Sequence, residues 1–257
     1  MTVAWGAGIL APMKSTHISI LAGFAALVGV SAYAIAQDAA EESTVPGPCN
    51  PVAEVEAGDP ILCEATLTPE GKPLFVRLFW DILADTDELH VMRIETAATA
   101  GGTAISSFTN LDSRAWLSMN ANGFEFTDMN FDGYADFRLI EFLPAGPNIA
   151  YINALYDPAK GKHVSAPSLN VISAPEFDAD SKTVISMWRG NAATHGQDVF
   201  GWEDGDLMLR QRTISVFDEN GNCMLTTYEP IAPISASTLI GIDEMDSSIA
   251  KISEEPC

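Results

Sequence analysis

The clearest chemistry in the chain lies in one short run, Asp128-Met129-Asn130-Phe131-Asp132-Gly133-Tyr134-Ala135-Asp136. Counted from Asp128, side-chain oxygens fall at positions 1, 3, 5 and 9, and position 6 is glycine. Position 7, Tyr134, can add its backbone carbonyl. This is the ligand spacing of an EF-hand-type calcium loop. A hard cation there collects six or seven oxygens at ~2.4 Å from alternate residues of a coiling chain. Gly133 permits the sharp turn that aims the position 7 carbonyl. Met129 and Phe131 are expected to point away and anchor the loop. Position 12 is Leu139, where a true EF-hand has a bidentate Glu, and both flanks read as strands rather than helices. The expected site is therefore a structural Ca2+ held by Asp128, Asn130, Asp132, Tyr134 and Asp136, with Glu141 or a water completing the shell. The competing reading is an Asx-rich turn that holds no metal.

Other chemistry is thin. The mature part of the chain has His90, His163 and His195. His90 alternates within a strand pattern. His163 follows a turn, where exposure is the default. His195 falls in the small-residue stretch Trp188 to Gly196, read as a loop between strands, and is expected to be a hydrogen-bonded loop histidine. With 35 Asp plus Glu, carboxylate pairs can be chosen at will, so they do not single out glycosidase chemistry. No HExxH and no glycine-rich phosphate loop occurs. The chain is not expected to be an enzyme. Cys49, Cys63, Cys223 and Cys257 fit neither a CxxC redox motif nor a zinc site. In an exported chain they predict two disulfides. Three connectivities are open, and Cys49–Cys63 with Cys223–Cys257 is the simplest.

The elements that would position the loop are short strands. Leu74, Val76, Leu78 and Trp80 fall on one face of an alternating run, with Phe75 and Phe79 on the other. The acidic turn at 84–88 leads into a second run from Leu89 to Ile94. The same strand, acidic turn, strand rhythm recurs around Asp157 to Gly161, Asp178 to Lys182, Glu203 to Asp206 and Asp218 to Asn222. Asp-Gly and Asn-Gly suit hairpin turns because their central residues must accept positive φ. The expected fold is all-β: an antiparallel β-meander, irregular and propeller-like, with the calcium loop inserted. One short helix is expected between Thr109 and Met119. The single β domain is expected to span residues 60–228. An acidic, proline-containing lead-in at 37–59 precedes it, and a Ser-rich acidic tail at 229–257, not assigned to any strand, follows it.

The 257 residues carry 13 Lys plus Arg against 35 Asp plus Glu, a net charge of -22, which repels phosphate backbones and anionic lipid. With 47% apolar residues the chain can nevertheless bury a core. Residues 1–36 hold no acid and the single cation Lys14, and Ile18 to Val30 is an apolar run too short for a comfortable span of ~20 residues. Ala34-Ile35-Ala36 then offers the small residues read by a signal peptidase. Secretion to the periplasm or beyond is expected, with cleavage after Ala36. An uncleaved anchor is the other reading, and Met13 is a more natural start than Met1. No Cys at the junction suggests lipidation, so no membrane attachment is expected after cleavage.

Between Asp128 and Arg212 the chain resembles a family of exported bacterial proteins. The resemblance rests on the loop from Asp128 to Asp136, Leu155-Tyr156-Asp157-Pro158, Pro175-Glu176-Phe177-Asp178, Trp188-Arg189-Gly190 and Trp202-Glu203-Asp204-Gly205, in that order. The family comprises periplasmic immunity proteins of an antibacterial type IV secretion system, which inhibit a lysozyme-like peptidoglycan hydrolase. The resemblance implies an all-β fold with a calcium loop and a Tyr that plugs the hydrolase cleft. The best candidate for that plug lies in Pro144 to Tyr151, with Asn148 and Tyr151 as partner-binding residues. The expected function is an exported calcium-binding inhibitor of a basic-cleft cell-wall hydrolase. The alternatives are a calcium-stabilised extracellular binding or adhesion module and a hydrolase with an unrecognised acidic site.

Overall fold

Alternation of apolar and polar residues builds the first hairpin. In strand β2 (Pro73–Ile82) Leu74, Val76 and Leu78 are buried, while Phe75, Arg77 and Phe79 between them stay partly open. Strand β3 (Glu88–Ala97) answers with buried Leu89, Val91 and Ile94. A register shift between Phe79 and Trp80 marks a bulge in the pair. The computed structural model describes residues 49–51, 54–83, 86, 88–116, 123–239 and 248–257. The expected signal peptide at 1–36 lies outside them.

Two sheets hold all the named strands among these residues. The first begins as a meander of β1 (Ile61–Thr66), β2, β3 and β4 (Ser106–Trp116). It continues through β6 (Asp136–Phe142), β7 (Ala150–Asp157) and β8 (Lys162–Ser165), and β5 (Phe124–Thr127) pairs with β6. The step from β4 to β6 is the one parallel contact among the described residues, at Arg114 and Phe142. The second sheet is a meander in strict chain order: β9 (Pro175–Asp178), β10 (Thr183–Arg189), β11 (Thr194–Glu203), β12 (Asp206–Phe217), β13 (Cys223–Pro230) and β14 (Ile249–Pro256). A single helical turn, α1 (Pro167–Asn170), links them. Neither sheet closes into a barrel. The all-β meander expected from the sequence holds, and all five expected hairpins are present.

The helix expected at 109–119 is absent from the described part of that span. Thr109 to Trp116 continue β4, paired to β3 from Glu88↔Trp116 to Thr96↔Ser106. The open backbone edge of β3 offers a ladder of partners, and that long-range pairing overrides a local helical pattern. Ile249 to Pro256, which the sequence alone left unassigned, form the last strand of the second sheet. This edge strand is exposed and carries Lys251, Glu254, Glu255, Pro256 and a register shift, devices that discourage further strand addition.

Each sheet has its own apolar core. The first gathers Ile61, Val76, Leu89, Phe124, Phe137 and Leu139. The second gathers Leu169, Val184, Phe200, Leu207 and Leu209, together with Met129 from the loop. Disulfides join Cys49 to Cys63 and Cys223 to Cys257. The first ties the lead-in to β1, where Asn50 N–H also donates to the Leu62 carbonyl. The second ties the chain end to the start of β13.

Candidate metal centre

The Asp-rich loop is the connection of an antiparallel hairpin. β5 and β6 pair from Phe124↔Leu139 to Thr127↔Asp136, so the strand flanks are as the sequence suggests. The hairpin opens at Asp128. Phe131 and Gly133 both adopt positive φ, 62° and 87°, which coils the backbone back on itself. The Asp128 carboxylate sits inside that coil. Its Oδ1 accepts from Asp132 N–H at 3.0 Å and its Oδ2 from Gly133 N–H at 2.8 Å. Asp132 Oδ1 accepts from Tyr134 N–H at 2.9 Å, and Asn130 Nδ2 donates to Asp132 Oδ2 at 3.0 Å.

The intervening side chains divide between the two cores. Met129 is fully buried in the second core and Phe131 packs against it. Tyr134 and Ala135 pack against the first. The indole of Trp202, from β11, donates to the Met129 carbonyl at 2.8 Å. Ala135 N–H donates to the Leu67 carbonyl at 2.9 Å, in the turn after β1. The loop is thereby riveted to both sheets.

Asp136 differs from the other acids. It is fully buried, and both its oxygens are engaged: Oδ2 accepts from Met129 N–H at 2.8 Å and Oδ1 from Tyr156 N–H at 2.7 Å. Burial pushes its carboxyl up to about 7, the Asp132 and Asp128 charges add to the rise, and the two N–H donors pull it back. Asp136 thus joins the start of the loop to β7. Leu139, at position 12, is fully buried in the first core. Glu141 lies five residues along β6 from Asp136, roughly 16 Å at the strand rise, so it does not complete a shell.

The donor set suits a hard cation. Asp128, Asn130, Asp132 and the Tyr134 carbonyl offer oxygen only, and each Asp128 oxygen keeps a lone pair beyond the N–H it accepts. A half-turn of the Asn130 amide brings its oxygen toward Asp132 Oδ2, where only a cation would favour the contact. Among the described residues no three His, Cys, Asp or Glu side chains cluster tightly enough to hold a metal without such amide and carbonyl help.

The other singled-out residues lie elsewhere. Asn148 bridges to β10 through both ends of its amide, donating to the Arg189 carbonyl at 2.9 Å and accepting from Arg189 N–H at 2.8 Å. Tyr151 is half-buried in β7, with the Arg138 guanidinium 4.3 Å above its ring. His163 corrects its expectation of exposure. β8 turns it inward, its Nε2 lies 2.9 Å from the Ala135 carbonyl, and burial lowers its pKa to about 4. His195 is not in a loop but opens β11, opposite Arg189. His90, in β3, places Nε2 3.1 Å from Asp112 Oδ1.

Two clusters escaped the sequence reading. Arg138 contacts Glu125 Oε1 at 2.7 Å, donates to the Pro175 carbonyl and faces Phe177, so it spans from β6 to β9. In the second sheet, buried Asp198 accepts from Arg212 Nε at 2.6 Å, Arg212 Nη2 at 2.7 Å and Trp188 Nε1 at 2.9 Å. Gly196 makes room for that indole: a Cβ there would lie 1.9 Å from Trp188 Cζ2. The only sequence signal was a charge at an inward position of an apolar strand.

No protein-family profile matches this chain. None of the curated proteins matches it either. A solved structure described as a Xanthomonas type IV secretion system related protein does. The match covers 76% of this chain and 99% of that one, with a TM-score of 0.50 and 14% sequence identity. The two share a fold.

Proposed function

We propose that the chain is an exported, calcium-stabilised β protein that binds and inhibits a lysozyme-like cell-wall hydrolase, as an immunity protein of a type IV secretion system. The observation that carries this reading is the fold shared along the whole length of the secretion-system related protein. Two disulfides suit an oxidising compartment. A net charge of -22 complements the basic cleft of an enzyme that works on anionic peptidoglycan, and it speeds encounter. Asp128, Asn130, Asp132 and the Tyr134 carbonyl would hold the calcium ion, which neutralises loop charge when bound. Asp136 would orient the loop by holding Met129 N–H.

On this reading Tyr151 is the partner-facing residue. Asn148, with its amide engaged by Arg189, holds the 144–151 segment in place. The test measures hydrolysis of peptidoglycan by basic lysozyme-like enzymes with and without the purified chain, in calcium. Inhibition is expected, and Tyr151→Ala should weaken it by ~2 kcal/mol or more, roughly thirtyfold. Binding to surface glycan with no inhibition of any such enzyme would replace this reading with the adhesion-module alternative.

A further inference from the structure

Beside the loop runs an open groove of about 370 Å³. Thr66 and Thr68 line one wall, from the end of β1 and the turn that follows. Phe126, Thr127, Asp128 and Tyr134 line the other. The walls are held in place. Phe126 packs edge-on to Phe124 at 5.0 Å, Tyr134 lies on Tyr156 at 5.0 Å, and the Ala135–Leu67 hydrogen bond ties one wall to the other. Two aromatic rings therefore stand ready with little ordering cost on binding.

The charge beside this groove is mainly negative, although exposed Lys72 stands at the far side of the β1–β2 turn, opposite Leu67. Asp128 is the only charged residue in its lining. Glu64, Glu70 and Asp132, all exposed, adjoin lining residues in the chain. Asp128 and Asp132 together balance a divalent cation, so with calcium bound the negative charge beside the groove is that of exposed Glu64 and Glu70. Apolar rings beneath an acidic rim match a long cationic side chain. Its methylene stem packs on the rings while its head meets the carboxylates.

We propose that this groove receives a lysine or arginine side chain of a basic protein partner. This deepens the preceding reading and rests on it, since the partner named there has a basic cleft. The groove lies at the β1–β2 turn and the loop, apart from Tyr151, and so adds a second point of attachment.

The test is an amide NMR titration of the full chain, in calcium, with end-blocked Lys-Leu-Lys and Glu-Leu-Glu. Shifts with Lys-Leu-Lys should cluster at Thr66, Thr127 and Tyr134, and Glu-Leu-Glu should cause none. Thr66→Arg should weaken the cationic peptide at least tenfold. Ser253→Arg, which adds the same charge on exposed β14, should change it less than twofold. Thr68→Arg replaces Thr66→Arg if that variant fails to fold. Three results would each overturn the groove: shifts spread evenly over the acidic surface, equal losses in both variants, or preference for a glycan probe such as N-acetylglucosamine over Lys-Leu-Lys. Hydrolase assays separate this idea from the parent reading. A mapped groove without inhibition of any hydrolase removes only the inhibitor role. Inhibition that persists with no peptide shift at the groove removes only the groove.

Discussion

Asp132 and Asp136 stand four residues apart and have different parts. Asp132 is exposed and orders the loop tip, while Asp136 is buried with both oxygens committed to backbone N–H groups. Calcium should add ~2.7 kcal/mol of stability to the wild-type chain at a hundredfold excess over Kd, and so raise its melting temperature. Asp132→Ala should abolish that gain and cost ~1 kcal/mol in chelator, through the lost Tyr134 N–H and Asn130 amide contacts. Asp136→Asn keeps the shape but puts an amide N–H against a backbone N–H, so it should cost ~1–3 kcal/mol in both conditions. A penalty for Asp136→Asn seen only in calcium would make Asp136 a simple ligand.

His163 supplies a pH prediction. Its folded pKa of about 4 lies below an unfolded value of ~6.5, so its contribution is present above pH ~6.5 and lost as pH falls through about 4. Asp136 works in the opposite sense without calcium. Its folded pKa of about 7 is raised, so its contribution is present below pH ~4 and lost as pH rises through about 7. Urea unfolding of wild type and His163→Gln between pH 4 and 8 isolates the first: the difference between them should shrink toward acid. A constant difference would mean that His163 is already charged in the fold. In the second sheet, Asp198→Asn should cost ~3–5 kcal/mol by stranding buried Arg212. The pair Asp198→Leu with Arg212→Met should recover most of that loss, and chemical denaturation reads both.

At the scale of elements, the five hairpins share one device: an aspartate or glutamate at the strand end. The Asp157, Asp178 and Asp218 carboxylates accept from the side chains of Lys160, Ser181 and Asn222 and, second, from backbone N–H groups of the next residues, which together hold these carboxyls below their usual range. These turns were legible because the interaction is local. The last strand was not, since β14 is largely exposed, without the alternating burial of a core strand, and its partner β13 lies well before it in the chain. Its attachment depends on Cys223–Cys257, which closes a separation of 34 residues, and on a chain-entropy argument contributes about 4 kcal/mol. Cys223→Ser with Cys257→Ser should speed hydrogen exchange of Ile249–Pro256 while leaving β10 to β12 protected. Equal acceleration throughout the second sheet would show that the edge strand and the sheet unfold as one unit.

For the whole molecule, charge and fold act separately. The net charge of -22 would steer encounter with the proposed basic partner but does not decide which strands pair. Its association rate with a basic hydrolase should fall steeply as salt rises and the Debye length shrinks from ~30 Å at 0.01 M to ~8 Å at 0.15 M. A rate independent of salt would remove charge steering from the proposal. The loop holds the two cores together through Met129, Tyr134 and Trp202, and Arg138 spans the sheets a second time. Loss of calcium is therefore expected to loosen both sheets, because both depend on the same loop.

What the chain determined by itself was local. Alternating burial in β2, the acidic turns, the oxygen spacing from Asp128 to Asp136 and the direction of Met129 and Phe131 follow from periods of two and from side chains that reach their own backbone. Tertiary structure decided what depends on distant partners. It divided one meander into two sheets, drew Thr109 to Trp116 into β4 instead of a helix, and turned His163 inward against Ala135. It also assigned Asp136 to two backbone N–H groups, one of them 20 residues away, where spacing alone had marked only a ligand. The physical reason is the same in each case: a local pattern offers a backbone or side chain several acceptable states, and the free energy of burial and long-range pairing selects among them.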